Sequence, residues 1–268
     1  MKPNKFPPKS KYNIEALARG LEILSLFSAE HPFLSLSKIS DLLQLNKSTA
    51  YRVLSTLESA GYLEQDQTTR QYRPGLKVLQ LGFTAISTLE LRQIARPYLE
   101  KLSQELGETV SLAALDGFRT IYVDRVRNQT IVGVVLGVGS SLPAHCTALG
   151  KVLLADLPAN ELNHLLATHE LNAYTPKTLT TKKSLLTELQ AIRKRGYAID
   201  DEELASGLRA VSAPIRDLSG RTVAAANVTG ATLRITHKRL AEEIIPALVN
   251  ITSQISIALG YFPGKPSS

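Results

Sequence analysis

The sequence predicts a two-domain α+β protein, with a winged helix-turn-helix at the N-terminus and a larger domain of mixed helices and strands after it. Three amphipathic helical patterns and a strand–turn–strand pattern fill residues 13–75. An apolar helical linker fills residues 76–87, and strand and helix patterns alternate over residues 88–268. A chain of 268 residues that is 44% hydrophobic can bury two such cores.

The composition excludes several classes of protein. One cysteine rules out an internal disulfide framework, and no apolar run approaches the ~20 residues of a membrane span. The start, MKPNKFPPKS, lacks the apolar core of a signal peptide. We therefore expect a cytoplasmic protein without a membrane partner, in which residues 1–12 form a disordered basic tail.

The net charge of +7 is spread thinly along the chain. Residues 1–75 carry 10 Lys and Arg against 7 Asp and Glu, and residues 76–268 carry 21 against 17. Most of this excess is explained by solvated surface, so a nucleic-acid partner has to be argued from the pattern of residues.

Two helical patterns open the N-terminal domain. The first, in residues 14–27, has one apolar stripe at helical spacing: Ile14, Leu17, Leu21 and Leu24. The second follows a turn at His31-Pro32 and has Ser35 or Ser37 as its N-cap. Three of its apolar side chains are expected to face inward: Ile39, Leu42 and Leu43.

A third helix begins after the N-cap Asn46 and stops at Gly61. Its buried stripe is Ala50, Val53, Leu54 and Leu57. Its opposite face carries hydroxyls and cations: Lys47, Ser48, Thr49, Tyr51, Arg52 and Ser55. Short hydroxyls allow close approach to a DNA backbone, while Lys and Arg meet phosphates or guanine edges. The pattern therefore predicts a recognition helix.

Two short strands around a polar turn follow, Tyr62-Leu63 and residues 71–73, and form a wing. The predicted DNA-binding residues are Ser37, Lys38, Asn46, Lys47, Ser48, Thr49, Tyr51, Arg52, Arg70 and Arg73. The alternative is a small helical domain whose polar face is only solvated and binds no partner. The coincidence of helix, turn, recognition helix and wing favours binding to double-stranded DNA.

The linker helix at 76–87 has apolar residues to cover a partner subunit or the back of the DNA-binding domain: Leu76, Leu79, Leu81 and Phe83. In the next helix, Pro97 is expected to produce a kink or a restart. A hairpin at Asp116-Gly117 then opens a mostly antiparallel sheet, which residues 130–144 are expected to continue. Helices are predicted at 147–156, 158–168, 181–195 and 237–260, with further strands between residues 196 and 230.

The stretch LPAHCTALGKVLLA, residues 142–155, contains the only cysteine and a Gly-Lys pair. A phosphate-binding loop would need Gly where His145 stands and Ser or Thr where Val152 stands. Cys146 has no recognisable base for nucleophilic catalysis, and the histidines lack the spacing of a zinc site. We therefore predict no catalytic residue, no metal and no cofactor.

The remaining interpretation of residues 142–155 is a binding loop at the N-terminus of a helix. Thr147 is a plausible N-cap, and the amides of Ala148, Leu149 and Gly150 would be free in the first turn. Free amides and the helix dipole favour a carboxylate ligand.

The chain resembles the IclR family of bacterial transcription regulators over nearly its whole length. The matching stretches are NKSTAYRVLSTLESAGYLEQD, RQYRPGLKVLQLG, LPAHCTALGKVLLA and GYAIDDEELASGLRAVSAPIRD. The resemblance implies a GAF-like effector-binding domain over residues 88–268. It also implies a homodimer or a dimer of dimers on a pseudo-palindromic operator, and regulation by a small organic acid.

The resemblance also implies a set of effector-binding residues. The set is Ile131, Val134, Leu142, Cys146, Thr147, Ala148, Leu149, Asp200, Ala210, Asn227 and Thr229. Some relatives place a small polar or thiol side chain where this chain has Ala210. Cys146 is interpreted as a small wall or core residue.

The identity of the effector stays open between two classes. The stretches LPAHCTALGKVLLA and TPKTL resemble the branch that regulates aromatic-acid catabolism, and short glyoxylate- or pyruvate-like acids are the rival. Two other functions also stay open: an enzyme-like small-molecule sensor with a tethered DNA-binding module, and an interaction module that does not bind DNA. Salt-dependent binding to a palindromic duplex separates the regulator from both.

Overall fold

A computed structural model describes residues 14–28, 31–87, 90–127 and 136–262. The contacts within the chain divide it into two units, residues 1–88 and 89–268. Among the described residues, no helix is both long and apolar enough to cross a membrane.

The described part of the first unit consists of helices around a three-stranded antiparallel sheet. Its elements are α1 (Glu15–Ser25), β1 (Leu34–Ser35), α2 (Leu36–Leu43), α3 (Lys47–Ser59), β2 (Leu63–Gln65), β3 (Gln71–Pro74) and α4 (Leu76–Ser87). The strand order is β1-β3-β2, with Leu34 opposite Tyr72 and Glu64 opposite Arg73. The predicted helices and wing are confirmed, and β1 is an addition too short to show strand alternation.

The apolar stripe predicted for α1 is not the buried face of this helix. Gly20 and Ile23 are the buried residues of this helix, and Leu24 packs partly against the same core. The other members of the stripe are exposed: Ile14 (67%), Leu17 (60%) and Leu21 (46%). This helix carries two apolar lines, and periodicity alone does not show which of them meets α3.

The linker helix α4 forms as predicted and leaves leucines exposed. Leu76 is 76% exposed, Leu79 68% and Leu81 62%. The side chain of Phe83 lies outside the described residues.

The described part of the second unit contains one six-stranded antiparallel sheet in the order β6-β5-β4-β9-β8-β7. Its strands are β4 (Thr109–Asp116), β5 (Arg119–Val126), β6 (Ser141–Pro143), β7 (Ala198–Asp201), β8 (Leu208–Arg216) and β9 (Thr222–Ala231). Its helices are α5 (Glu90–Leu106), α6 (Ala148–Ala155), α7 (Ala159–Thr168), α8 (Lys182–Arg195), α9 (His237–Arg239) and α10 (Ile245–Ala258), with a π-helical turn at Leu240–Ile244. The predicted α+β class is confirmed.

Two details of this unit differ from the sequence prediction. Helix α5 runs through Pro97 without restarting, because Ala95, Leu99 and Leu102 anchor both sides of the proline in the core. Within residues 136–144, the predicted continuation of the sheet is limited to the three residues of β6, and a turn occupies residues 138–139. The part of that prediction on residues 130–135 lies outside the described residues.

The two faces of the sheet have different partners, because side chains alternate along each strand. One face packs Leu112 and Val228 against α5 and α10. The other packs Ala113, Ala210 and Ala225 beneath α6.

A β-bulge in β5 breaks this alternation. Leu112 of β4 is opposite Asp124, whereas its neighbour Ala113 is opposite Tyr122, so Val123 has no partner. Bulges of this kind re-aim the side chains around them. As a result, Tyr122 and Arg125 both lie on the α6 face of the sheet.

Asp124 lies on the opposite face and is 1% exposed. Its carboxylate accepts a hydrogen bond from Arg96 Nη1 at 2.8 Å and lies 3.5 Å from Arg92 Nε, and both arginines belong to α5. The bulged strand is therefore tied to the first helix after the linker.

Candidate functional site

Side-chain caps fix the N-termini of α2 and α3. Ser35 Oγ accepts a hydrogen bond from the Lys38 amide at 3.3 Å, and Asn46 Oδ1 accepts one from the Thr49 amide at 2.7 Å. Ser35, not Ser37, is therefore the N-cap of α2. The chain leaves α3 through Gly61, whose φ of +79° is accessible to glycine at little cost.

The face of α3 opposite its buried residues Ala50 and Leu54 is polar and open to solvent. All ten predicted DNA-binding residues belong to this unit, and all are exposed except Thr49, which is half-buried. Within the described residues, no ion pair involves Lys38, Lys47 or Arg52. These cations are available to an anionic partner, beside two helix N-termini that also favour anions.

The wing is built on a turn that Asp66 organises. Its carboxylate accepts the amides of Thr68 and Thr69 at 2.9 and 2.7 Å, and these hydrogen bonds lower the pKa of Asp66. Arg70 lies at the end of this turn with a φ of +56°. Arg73 is already engaged, because its Nε and Nη2 donate to Glu64 Oε2 at 3.1 and 2.8 Å.

In the second unit, Thr147 caps α6, and its hydroxyl both donates and accepts a hydrogen bond within the protein. Its Oγ1 donates to the Pro143 carbonyl at 3.0 Å and accepts from the Gly150 amide at 3.1 Å. The amide of Gly150 is therefore not free, contrary to the sequence prediction. The amides of Ala148 and Leu149 precede the first hydrogen bond of the helix, from Lys151 N to Thr147 O at 2.9 Å, and have no acceptor within it.

The Gly-Lys pair in this helix serves packing. A Cβ on Gly150 would lie 2.2 Å from the backbone of Ala144, so only glycine permits this approach. Lys151 is 1% exposed, donates to the Ile199 carbonyl at 2.7 Å and pairs with Glu203. Sequence reasoning missed this role, although a lysine in the otherwise apolar helix ALGKVLLA was a signal.

A polar row crosses the sheet beneath α6. Asp200, Ala210 and Thr229 are direct neighbours on β7, β8 and β9. Asn227 lies next to Thr229 on the same face and donates from Nδ2 to Thr229 Oγ1 at 2.9 Å. Its Oδ1 is buried without a hydrogen-bond partner, which is costly unless a ligand supplies a donor.

Asp200 is 2% exposed, and burial raises its pKa to about 7. Its Oδ1 accepts the amide of Glu203 at 2.8 Å, and the charge of Lys151 also stabilises the carboxylate, but desolvation outweighs both. The charge of Glu203 adds to the rise. Near neutral pH the Asp200 carboxyl therefore exists in both protonation states and can donate or accept a hydrogen bond.

Cys146 is fully buried, and burial raises the pKa of its thiol to about 12. A thiol in this state is a poor nucleophile. The neighbouring His145 is directed elsewhere, since its Nε2 lies 3.0 Å from the Asn172 carbonyl and its ring stacks on Phe118. Among the described residues, no cluster of three His, Cys, Asp or Glu side chains could hold a metal.

The structure brings most of the predicted effector residues to the α6 face of the sheet. Ala148, Leu149, Ala210 and Leu142 share one apolar cluster there. Ile131 and Val134 lie outside the described residues. Sequence reasoning missed Ser111, Tyr122 and Arg125, which the strand register places on the same face.

A surface depression of about 330 Å³ lies beside the Lys151–Glu203 pair and is also lined by Lys177 and Asp201. None of the predicted effector residues lines it. They are more deeply placed, with Asp200 and Asn227 at most 4% exposed, so a ligand in contact with them would be largely screened from water.

Comparison with known proteins identifies the family. Residues 16–67 match the IclR helix-turn-helix domain, and residues 83–257 match the family described as bacterial transcriptional regulator IclR C-terminal. The chain is 35% identical over 248 residues to the HTH-type transcriptional regulator XynR of Escherichia coli (strain K12), covering 92% of this chain and 98% of that protein.

It is also 35% identical over 235 residues to the Pca regulon regulatory protein of Pseudomonas putida, covering 87% of this chain and 80% of that protein. The structure of an IclR homolog from Microbacterium hydrocarbonoxydans, complexed with 4-hydroxybenzoate, has the same fold, with a TM-score of 0.73 at 24% identity and coverage of 91% and 97%. The chain belongs to the IclR family of bacterial transcription regulators.

Proposed function

We propose that the protein binds a pseudo-palindromic operator through α3 and the wing, and that a small organic acid bound beneath α6 changes this binding. The observation that carries the first part is the capped helix α3, whose solvent face presents Lys47 and Arg52 without intramolecular ion pairs among the described residues. A face of unpaired cations next to helix N-termini suits a phosphate backbone.

The acid's carboxylate binds the amides of Ala148 and Leu149, where the dipole of α6 adds a favourable charge. Asp200, Asn227 and Thr229 meet a polar group elsewhere on the acid. The Asn227 Oδ1, which has no partner, accepts a hydrogen bond from it. Leu142, Cys146 and Ala210 supply apolar wall, and Thr147 acts through its cap rather than by direct contact.

An aromatic hydroxy acid fits this arrangement, because its ring suits the apolar wall and its hydroxyl suits Asp200 and Asn227. The homolog complexed with 4-hydroxybenzoate supports the class. The site is proposed for binding and not for catalysis, since the buried Cys146 thiol is protonated and His145 is turned away from it.

The assembly is proposed as a homodimer or a dimer of dimers, in which the exposed leucines of α4 and the apolar line of α1 meet a second copy. A pseudo-palindromic operator requires such symmetry. The acid then shifts the equilibrium between assemblies that differ in the placement of their DNA-binding units.

DNA binding is tested with a duplex selected from a random library. Arg52→Ala and Thr49→Ala should each weaken binding by about 1–3 kcal/mol in fluorescence anisotropy. Arg19→Ala is the matched control, because this α1 arginine is paired with Glu15 at 2.7 Å. Unchanged affinity for both α3 variants would exclude α3 as the recognition helix.

Effector binding is tested by calorimetry on the full chain with 4-hydroxybenzoate, benzoate, glyoxylate and pyruvate. The hydroxylated acid should bind more tightly than benzoate, and Asp200→Ala should reduce this preference without changing operator affinity in the absence of acid. Leu149→Trp should fill the site and abolish binding. Tight binding that ignores both substitutions would place the acid elsewhere.

A further inference from the structure

Arg125 is a half-buried cation of the second unit whose side chain makes no hydrogen bond or ion pair among the described residues. Its Nε is inaccessible to solvent and has no hydrogen-bond partner. Tyr122 and Arg127 are the ionisable side chains that act on Arg125, and neither is a carboxylate. A guanidinium that is partly withdrawn from water and serves only the fold is normally paired with an acid, which compensates its lost hydration.

The position of Arg125 joins it to the polar row of the effector site. Arg125 of β5 is opposite Ser111 of β4, which in turn is opposite Asn227 of β9. With strands ~4.8 Å apart, Arg125 and Asn227 lie about 10 Å apart at their backbones. Asn227 is 4% exposed, and its Oδ1 is the second buried polar atom of this row without a partner.

The bulge and the ring of Tyr122 hold Arg125 in this place. Tyr122 and Arg125 are three positions apart, so regular strand alternation without a bulge would turn one of them away from the α6 face. The guanidinium carbon lies 5.8 Å from the centre of the Tyr122 ring. Such a ring supports the planar cation and leaves its edge free for a bidentate anion.

We propose that Arg125 binds a second anionic group of the effector, so that the preferred ligand is a dicarboxylic acid. One carboxylate lies at the start of α6 and the other at Arg125, while Asn227 accepts a hydrogen bond from a hydroxyl between them when the acid has one. This inference rests on the proposed acid site and names the class of acid that it takes.

The experiment is calorimetry on the full chain with matched pairs of acids: terephthalate against benzoate and 4-hydroxybenzoate, and adipate against hexanoate. The wild type should bind at least one dicarboxylate about 10- to 100-fold more tightly than its monocarboxylate partner, which is the range for one charge-assisted hydrogen-bonded pair. In Arg125→Gln this preference should disappear, while monocarboxylate affinity stays unchanged. Arg127→Gln is the control, since it removes the same charge from an exposed side chain.

The other possible results of the calorimetry show which part of the proposal fails. Equal affinity for both acids of a pair in the wild type, or a preference that survives in Arg125→Gln, overturns the role of Arg125 and leaves the acid site in place. Absence of binding by every acid overturns the acid site and this inference with it.

A stability measurement separates recognition from a structural role. Without ligand, Arg125→Gln should have a melting temperature equal to or above that of the wild type, because it removes a half-buried cation that has no acidic partner among the described residues. Arg125→Lys keeps the charge without the planar fork and should retain only part of the dicarboxylate preference. If both variants are destabilised and Arg125→Lys keeps the full preference, the guanidinium is structural and the inference fails.

Discussion

The two candidate binding regions present their charges in opposite ways. On α3 and α2 the cations are exposed, and the helix caps Ser35 and Asn46 lie three residues before Lys38 and one residue before Lys47. Beneath α6 the polar groups are buried or half-buried and come from separate strands, and two of their buried atoms, on Arg125 and Asn227, have no hydrogen-bond partner. The first arrangement suits a highly charged polymer that is attracted from water, whereas the second suits a small molecule that is recognised after it loses its water.

The comparison is tested most strongly at Gly150, where the buried site depends on close packing. Gly150→Ala would place a Cβ 2.2 Å from Ala144 and should destabilise the second unit by about 3 kcal/mol, which lowers its melting temperature by about 6–12 °C. Thermal unfolding of the full chain, followed by circular dichroism, measures this. Gly137→Ala is the control, because nothing lies within 4 Å of its Cβ. Equal melting temperatures for the two variants would show that α6 tolerates displacement.

The difference between the regions also explains what the sequence could predict. The caps Asn46 and Thr147 and the stop at Gly61 act within a few residues of themselves, so their patterns are readable and the structure confirms them. Arg125 was missed because its direction depends on a bulge, and a bulge depends on how β5 pairs with β4, which the pattern of one strand does not show.

The sequence also could not show which of two similar apolar faces of a helix is buried. The stripe of α1 did not identify the buried face, because Ile14 and Ile23 belong to two apolar lines of one helix and only tertiary contacts select between them. Lys151 was missed because its partner Glu203 lies 52 positions away.

The next largest effect is the pH dependence of acid binding. The pKa of Asp200 is raised to about 7, so its carboxyl is mostly neutral at pH 6 and mostly charged at pH 8. If the neutral form is the one that accepts an anionic ligand, affinity should fall about tenfold from pH 6 to pH 8. Calorimetry at the two values measures this, and Asp200→Asn should flatten the profile. A wild-type affinity that stays constant or rises would contradict the assignment.

Asp200 also predicts that the free energy of unfolding falls as the pH rises, which is the opposite of the effect of a carboxylate whose pKa is lowered by folding. A raised pKa means that the folded state keeps a proton which the unfolded state releases between about pH 4 and pH 7. The contribution of Asp200 to stability is therefore lost as the pH rises through this window. Asp200→Asn should remove that part of the slope in urea unfolding measured between these values.

A smaller effect is expected on the exposed side, at the ion pair of the wing. Glu64→Gln releases Arg73 and removes a negative charge, so DNA binding should strengthen by about 0.5–1 kcal/mol. One additional phosphate contact should also steepen the dependence of log K on log salt by about 0.9. Anisotropy titrations on any duplex at several salt concentrations measure both quantities. A weaker or unchanged affinity would place the wing away from DNA.

The smallest effect is expected at Cys146. Cys146→Ser should retain DNA binding and most of the acid response, with a modest loss of stability from a buried hydroxyl. The native thiol should react slowly with iodoacetamide at pH 8, since its pKa is about 12. A folded serine variant that has lost the acid response would instead indicate a reactive thiol.

The bulge in β5 also constrains how this regulator can evolve or be reprogrammed as a biosensor. Tyr122 and Arg125 lie on the proposed ligand side of the strand, and Asp124 holds Arg92 and Arg96 of α5 on the other. Inserting one residue between positions 122 and 125 while the bulge is kept would turn one of these two side chains to the opposite face. Deleting Val123 would remove the bulge and leave both side chains on their present face. A library for altering the effector should therefore randomise positions 122 and 125 without insertions, while leaving position 124 fixed.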